Sequence, residues 1–518
     1  MRKVFSFLAI FVTIAVASWL SGCNSVNSGT SVVQTPPASS VPVSITMTDD
    51  PPAGVSVLFF QVSLTAASLQ PASGSPVSLL ANNTPIQIDV TQLQALSAFL
   101  STSNVPAGSY TSLSLTFANP LLVIFNNSDK SIAGTCAVGS VCQLTPSIDN
   151  SATIDLSSSP FPVTVAANSP LGFLVDFHLN TIIQTDLSVN LGAANGVSVA
   201  QLQPRTAPTG PPPFGAIVGS VTAVDTGLSQ FTLQAPDGRS FTIATSSSTT
   251  YNDFPSSACS AAGFACIAKG EIVQAQITAV QSGPILLAGQ VTYVQPSNTQ
   301  TVVGTIIAIP PLPLPAGETE LQVILHQNPT ATAGLPLGAM ALVSVWAPKS
   351  GSNTPTTFSI DANGFTIPSA YTFASSNDLA VGQTVQITVA PGSLQPPSNP
   401  GGSGGWAPPP EPSFAASALQ LEPSQITGSI SAITTSSSSF TLNTIFEPVP
   451  VIPLGQLIQF DAQTTSQTTY QGFTTDDFGG LATNDWVSVN GWVFSPSGST
   501  TMPVIVPETV VYRANGMI

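Results

Sequence analysis

The chain has 518 residues, 43% hydrophobic and only 6% charged, with 47 prolines and 39 glycines. Eight basic residues against 24 acidic ones give a formal net charge of −16, which excludes the basic surface that nucleic-acid binding needs. Polarity resides in Ser, Thr, Gln and Asn, and the mean hydropathy of +0.35 points to β-rich cores, because no apolar run beyond the N-terminus approaches the roughly 20 residues of a membrane span.

The chain opens with Arg2 and Lys3, continues through an uncharged, mostly apolar stretch over 4–18, and reaches Leu20-Ser21-Gly22-Cys23. Positive, apolar and then small is the order of a secretory leader; the apolar part is short for a bilayer span and no stop-transfer charges follow it. Leu20-Ser21-Gly22-Cys23 resembles the lipobox of bacterial lipoproteins. That resemblance implies a signal peptide over 1–22, cleavage before Cys23, a diacylglycerol thioether on its sulfur and an acyl chain on its new amino group. Several acyl chains suffice for stable anchoring. The expected location is the bacterial cell envelope, lipid-anchored, with the non-acidic Asn24 compatible with sorting to the outer membrane. Residues 23–40 then form the lipidated cysteine and a flexible tether rich in Ser, Thr, Val and Pro, able to span about 55 Å when stretched.

Residues 41–204 read as strands. Val43 to Thr48 alternates apolar and polar, residues 55–69 carry two further β-branched and aromatic runs, and Ile86-Gln87-Ile88-Asp89-Val90 alternates again. Residues 91–102 have room for one or two helical turns. A turn at Pro106-Ala107-Gly108 leads into a strand on which Leu113, Leu115 and Phe117 share a face, and later strands are expected over 152–156, 162–166, 172–179 and 196–202. Seven or more short strands between turn residues argue for a β-sandwich.

The segments Thr48-Asp49-Asp50-Pro51, Ile88-Asp89-Val90-Thr91-Gln92-Leu93, Val105-Pro106-Ala107-Gly108-Ser109-Tyr110 and Leu174-Val175-Asp176-Phe177 together resemble the bacterial domain-of-unknown-function family forty-three eighty-two. The resemblance covers about a third of the chain and implies a transthyretin-like or immunoglobulin-like sandwich, with no activity attached.

Beyond a Pro-rich hinge at 205–213 the chain repeats itself. Val218-Gly219-Ser220-Val221, Val303-Gly304-Thr305-Ile306 and Thr427-Gly428-Ser429-Ile430 open three units over 214–296, 299–423 and 426–515. Phe231-Thr232-Leu233 returns as Phe440-Thr441-Leu442, and Thr250-Tyr251 as Thr469-Tyr470. The turns Lys269-Gly270-Glu271 and Val381-Gly382-Gln383 have Asn484-Asp485 as their counterpart in the third unit. The second unit is longer by an insertion at 392–412, whose Pro, Gly and Ser preclude regular structure and predict a surface loop. The order of these elements resembles domain-of-unknown-function family fifty-six sixty-six, which implies OB-type or split barrels. The expected fold is therefore all-β, a sandwich followed by three small β-barrel-like repeats, arranged as beads on a string because the units are separate blocks of unequal length.

Five cysteines suit export. Cys23 is assigned to lipid, and the close pairs Cys136 with Cys142 and Cys259 with Cys266 read as local disulfides, since no His or acidic partner near them suggests zinc.

Catalytic chemistry is sparsely provided. The only histidines are His178 and His326, each expected on a strand face, so a His-based triad has few places to form. The doublets Asp49-Asp50 and Asp476-Asp477 fit turns better than a glycosidase pair, because neighbouring strand residues point to opposite faces. Asp361-Ala362-Asn363-Gly364 has the opening of a calcium loop without its later acidic ligand, and reads as a tight turn. No cofactor motif is present. Trp406, in Gly404-Gly405-Trp406-Ala407-Pro408-Pro409-Pro410, is a candidate platform for a sugar ring or peptide, or else folds back on its own repeat; Trp346, Trp486 and Trp492 are expected in cores. The expected function is structural or scaffolding, without catalysis. The alternatives are a module binding polysaccharide or another envelope protein, and a hydrolase if Asp49, Asp176 and His178 converge on one pocket.

Overall fold

The structure is a computed structural model that describes residues 55–80, 85–93, 105–126, 128–132, 136–148, 152–165, 172–202, 216–235, 239–255, 259, 263–280, 285–294, 300–310, 314–328, 334–348, 354–362, 364–395, 406–407, 411–446, 458–495 and 502–513. The predicted strand at 43–48 and the tether lie outside them. The fold is all-β.

In the first domain the two apolar runs of 55–69 are one 17-residue strand, β1 (Val55–Pro71), paired along most of its length with the 19-residue β4 (Gly108–Asn126). Around them lie β2 (Val77–Ser78), β3 (Ile86–Asp89), β5 (Val141–Leu144), β6 (Thr153–Leu156) and β7 (Val163–Val165), all antiparallel, with β3 on β1 and β5, β6 and β7 on β4. One single 3-10 turn, Val90–Leu93, follows β3. The second layer is a separate ribbon, β8 (Gly172–Phe177) with β9 (Val197–Leu202), which buries Phe177 edge-on against Phe117 with ring centroids 5.6 Å apart. The result is a sandwich of a bent sheet and a short ribbon around one core.

Each repeat is a closed circuit of five strands with a short sixth beside it. The first barrel comprises β10 to β15 (Ala216–Asp225, Gln230–Gln234, Ser240–Ala244, Thr250–Asn252, Ile272–Val280 and Ile285–Val294) in the order β12-β11-β10-β14-β15. Parallel pairing of β12 with β15 closes it, and β13 adds to β15. In the second, β16 to β20 are Thr301–Ala308, Glu318–Gln327, Met340–Trp346, Thr357–Ile360 and Thr384–Val389, and β22 is Ser413–Glu422, with β18 closing on β22. In the third, β23 to β28 are Ser424–Thr434, Ser439–Phe446, Ile458–Gln463, Thr469–Gln471, Trp486–Phe494 and Val504–Tyr512, with β25 closing on β28.

The repeated residues have physical jobs. A side chain at Gly219, Gly304 or Gly428 would place its Cβ 2.1 to 2.4 Å from a carbonyl oxygen of the neighbouring strand, so these openings must be glycine. Gly270, Gly382 and Asn484 all have positive φ (94°, 90° and 70°), the conformation Gly adopts freely and Asn tolerates. The next residue then caps the turn with its side chain: Glu271, Gln383 and Asp485 accept from the backbone N–H of Ala268, Ala380 and Ala482 at 2.7 to 2.8 Å. A further threefold device escaped the sequence reading. The Thr249, Thr356 and Thr468 hydroxyls donate to the carbonyls of Ala288, Ala416 and Pro507, clamping each short strand to its barrel.

Two expectations are corrected. The domains are not beads on a string. Leu58, Phe59 and Val123 of the sandwich form one buried cluster with Ile307, Ile324 and Met340 of the second barrel, while Trp492, Phe494 and Val506 of the third barrel belong to the core of the second. The packing leaves β1 buried on both faces, which is why its run Leu58-Phe59-Phe60 does not alternate. The insertion at 392–412 is not wholly irregular either. Trp406–Ala407 forms β21, antiparallel to β5, with Trp406 opposite Leu144 and Ala407 opposite Gln143. Pro408, next in sequence, has no N–H to donate to a sheet ladder.

Candidate functional site

Sandwich, second barrel and third barrel meet at a small polar crevice lined by Thr91, Gln92, Thr305, His326, Thr384 and Gln425. The space inside is on the scale of a single water molecule. His326, on β17 and 4% exposed, reaches it from the second barrel and is paired with Asp89, at the end of β3 of the sandwich. Their Nδ1 and Oδ2 atoms are 2.8 Å apart. The Thr91 backbone N–H and hydroxyl donate to the other carboxylate oxygen, fixing Asp89, and Phe59 packs on the imidazole with ring centroids 5.9 Å apart. Gln425 of the third barrel donates its side-chain amide to the Gln92 carbonyl, and Ser424 accepts from the Thr384 N–H at 2.8 Å.

An Asp–His pair is two-thirds of an acyl-transfer triad, whose third member is a hydroxyl in hydrogen-bond reach of the second ring nitrogen. Here Nε2 is buried with no hydrogen-bond partner, so none of the threonine hydroxyls around it is in that position. What this arrangement does is fasten one domain to another: Asp89 and His326 are 237 residues apart in sequence and pair across the junction.

The other candidate residues are scattered. Asp49 and Cys23 lie outside the described residues. Asp176, on β8, acts electrostatically on Arg513 of the third barrel, whose Nε donates to the Ser488 hydroxyl at 3.0 Å; burial lowers that guanidinium's pKa while Asp176 favours its charge. His178 is buried one residue past β8, and its carbonyl accepts from Thr181 and Ile182 at the start of the one-turn helix Leu179–Ile182. Asp476 and Asp477 sit in the bend before the 3-10 turn Phe478–Gly480. Asp361 is 5% exposed, and its carbonyl accepts from Trp492 Nε1 at 2.8 Å; directly after it the expected tight turn forms, with the Phe365 N–H donating to the Ala362 carbonyl and Gly364 at positive φ. Trp492 is fully buried, whereas Trp346 and Trp486 are only half-buried. Both cysteine pairs are disulfides, with Cα atoms 5.8 Å apart for Cys136–Cys142 and 5.1 Å for Cys259–Cys266.

The sequence reading did not single out two shielded carboxylates. Glu422, 8% exposed at the end of β22, and Glu508, half-buried within β28, lie where the second and third barrels join; loss of water around them is the first cause raising both, Glu422 well above the ordinary glutamate range and Glu508 to about 7. The one available signal was Glu508 within an otherwise uncharged β-branched run, Val504 to Val511.

Two stretches of the chain match known families. Residues 40–194 match the domain of unknown function DUF4382, and residues 427–498 match the domain of unknown function DUF5666. The chain thus carries an N-terminal DUF4382 domain followed by a DUF5666 region at its third barrel. No curated protein matches the chain.

Proposed function

We propose that this is a lipid-anchored protein of the bacterial cell envelope, acylated at Cys23, that displays its β-domains as a scaffold without catalytic activity. The observation that carries the scaffold reading is the shared burial of Phe59, Ile324 and Met340 between sandwich and second barrel, and of Trp492 between second and third, which makes a stiff body of separate domains. The leader with its lipobox-like Leu20-Ser21-Gly22-Cys23 supports the anchor, and the two disulfides fit an exported chain. In cells fed an alkyne-tagged fatty acid, the wild-type chain should carry the label and fractionate with membranes. Cys23→Ala should lose the label, and label retained in that variant would remove the anchor from the proposal.

A binding role for polysaccharide or another envelope protein has one observation in its favour: Trp406 is held by its backbone at the edge of the sandwich sheet. Retention of the full chain on isolated cell envelope, lost in Trp406→Ala, would move the assignment from scaffold to binding module.

A further inference from the structure

The junction of the second and third barrels is built around acid groups. From the second barrel come Glu422 and Asp361, from the third Glu508, and the Asn490 amide donates to Glu508 Oε2 at 3.0 Å. The charged groups acting on Glu422 are Asp361 and Asp253, the latter from the first barrel, and Asp361 acts on Glu508; all are acidic. Around them the junction is tight. Trp492 is fully buried against Phe365 with ring centroids 5.0 Å apart, Tyr371 stacks on Phe494 at 5.1 Å, and Gln383 Nε2 donates to the Val493 carbonyl at 3.1 Å.

Carboxyl groups in such a place can be kept neutral by holding their protons, but each that ionises adds a poorly solvated charge facing others of the same sign. We propose that this junction is a pH-sensitive clasp, closed at acidic pH and progressively loosened as the pH rises toward neutrality. The sign follows from the direction of the shifts. Glu422 and Glu508 are both raised on folding, so the closed junction binds more protons than the open one. Closure is then fully favoured below the ordinary glutamate range, weakens as pH climbs from there, and for Glu508 stops weakening above about 7.

Amide hydrogen exchange on the full chain, corrected for intrinsic rates, tests this. Between pH 5.5 and 8.5, segments 361–373 and 486–494 should lose protection on the order of tenfold or more, while the first barrel's core over 231–243 stays unchanged. The double variant Glu422→Gln, Glu508→Gln should abolish the pH dependence, and Glu508→Gln alone should reduce it and serves if the double variant does not fold. Equal protection at both pH values in the wild type, or an undiminished pH dependence in the Gln variants, would overturn the proposal.

Discussion

The two junctions that the second barrel makes differ in kind. Toward the sandwich it offers an apolar patch, Ile307, Ile324 and Met340 against Leu58, Phe59 and Val123, with one His–Asp pair at its margin. Toward the third barrel it offers Phe365, Tyr371 and the Asp361 carbonyl, which receive Trp492 and Phe494, with acidic side chains beside them. The first junction relies on area removed from water and should depend little on conditions; the second combines tight packing with groups whose charge is conditional. Domains of one chain can thus be coupled either permanently or adjustably by the choice of what is buried between them.

The largest effect should come from Trp492→Ala, which removes a fully buried indole and leaves the Asp361 carbonyl without that donor. It should cost about 4 kcal/mol and separate the unfolding of the second and third barrels in urea. Phe59→Ala should cost about 3 kcal/mol and loosen only the sandwich junction, read by exchange at β1 and β17. If both variants produced the same pattern of exposed segments, the distinction between the junctions would fail. Asp89→Ala should have the smallest effect, about 2 kcal/mol, by stripping partners from the Thr91 hydroxyl and His326 Nδ1, measured as a lowered urea midpoint.

The barrels were legible in sequence because their constraints are local and repeated. Gly219, Gly304 and Gly428 mark close backbone approaches, and Gly270, Gly382 and Asn484 mark positive φ, so the same residue types recur wherever the same geometry does. The sandwich was legible as alternating strands, although the joining of two runs into β1 was not, since its bulges disturb the period of two. The junctions were almost invisible. His326 and Asp89, or Trp492 and Asp361, meet across long separations that no local pattern encodes, and Glu422 is simply one acid at a strand end until folding encloses it. The Thr249, Thr356 and Thr468 clamps went unnoticed because threonine is abundant throughout the chain.

The parallel closure of each barrel, β12 on β15, β18 on β22 and β25 on β28, bears on solubility. Unpaired strand margins recruit other chains, and many proteins deter this with lysines or clusters of like charge. With only 6% charged residues this chain has few such deterrents. Ring closure removes the margins themselves, and the short β21 takes up part of the one presented by β5. A β-rich polypeptide crowded among its own copies would thereby avoid edge-to-edge aggregation by topology, with little help from electrostatic repulsion.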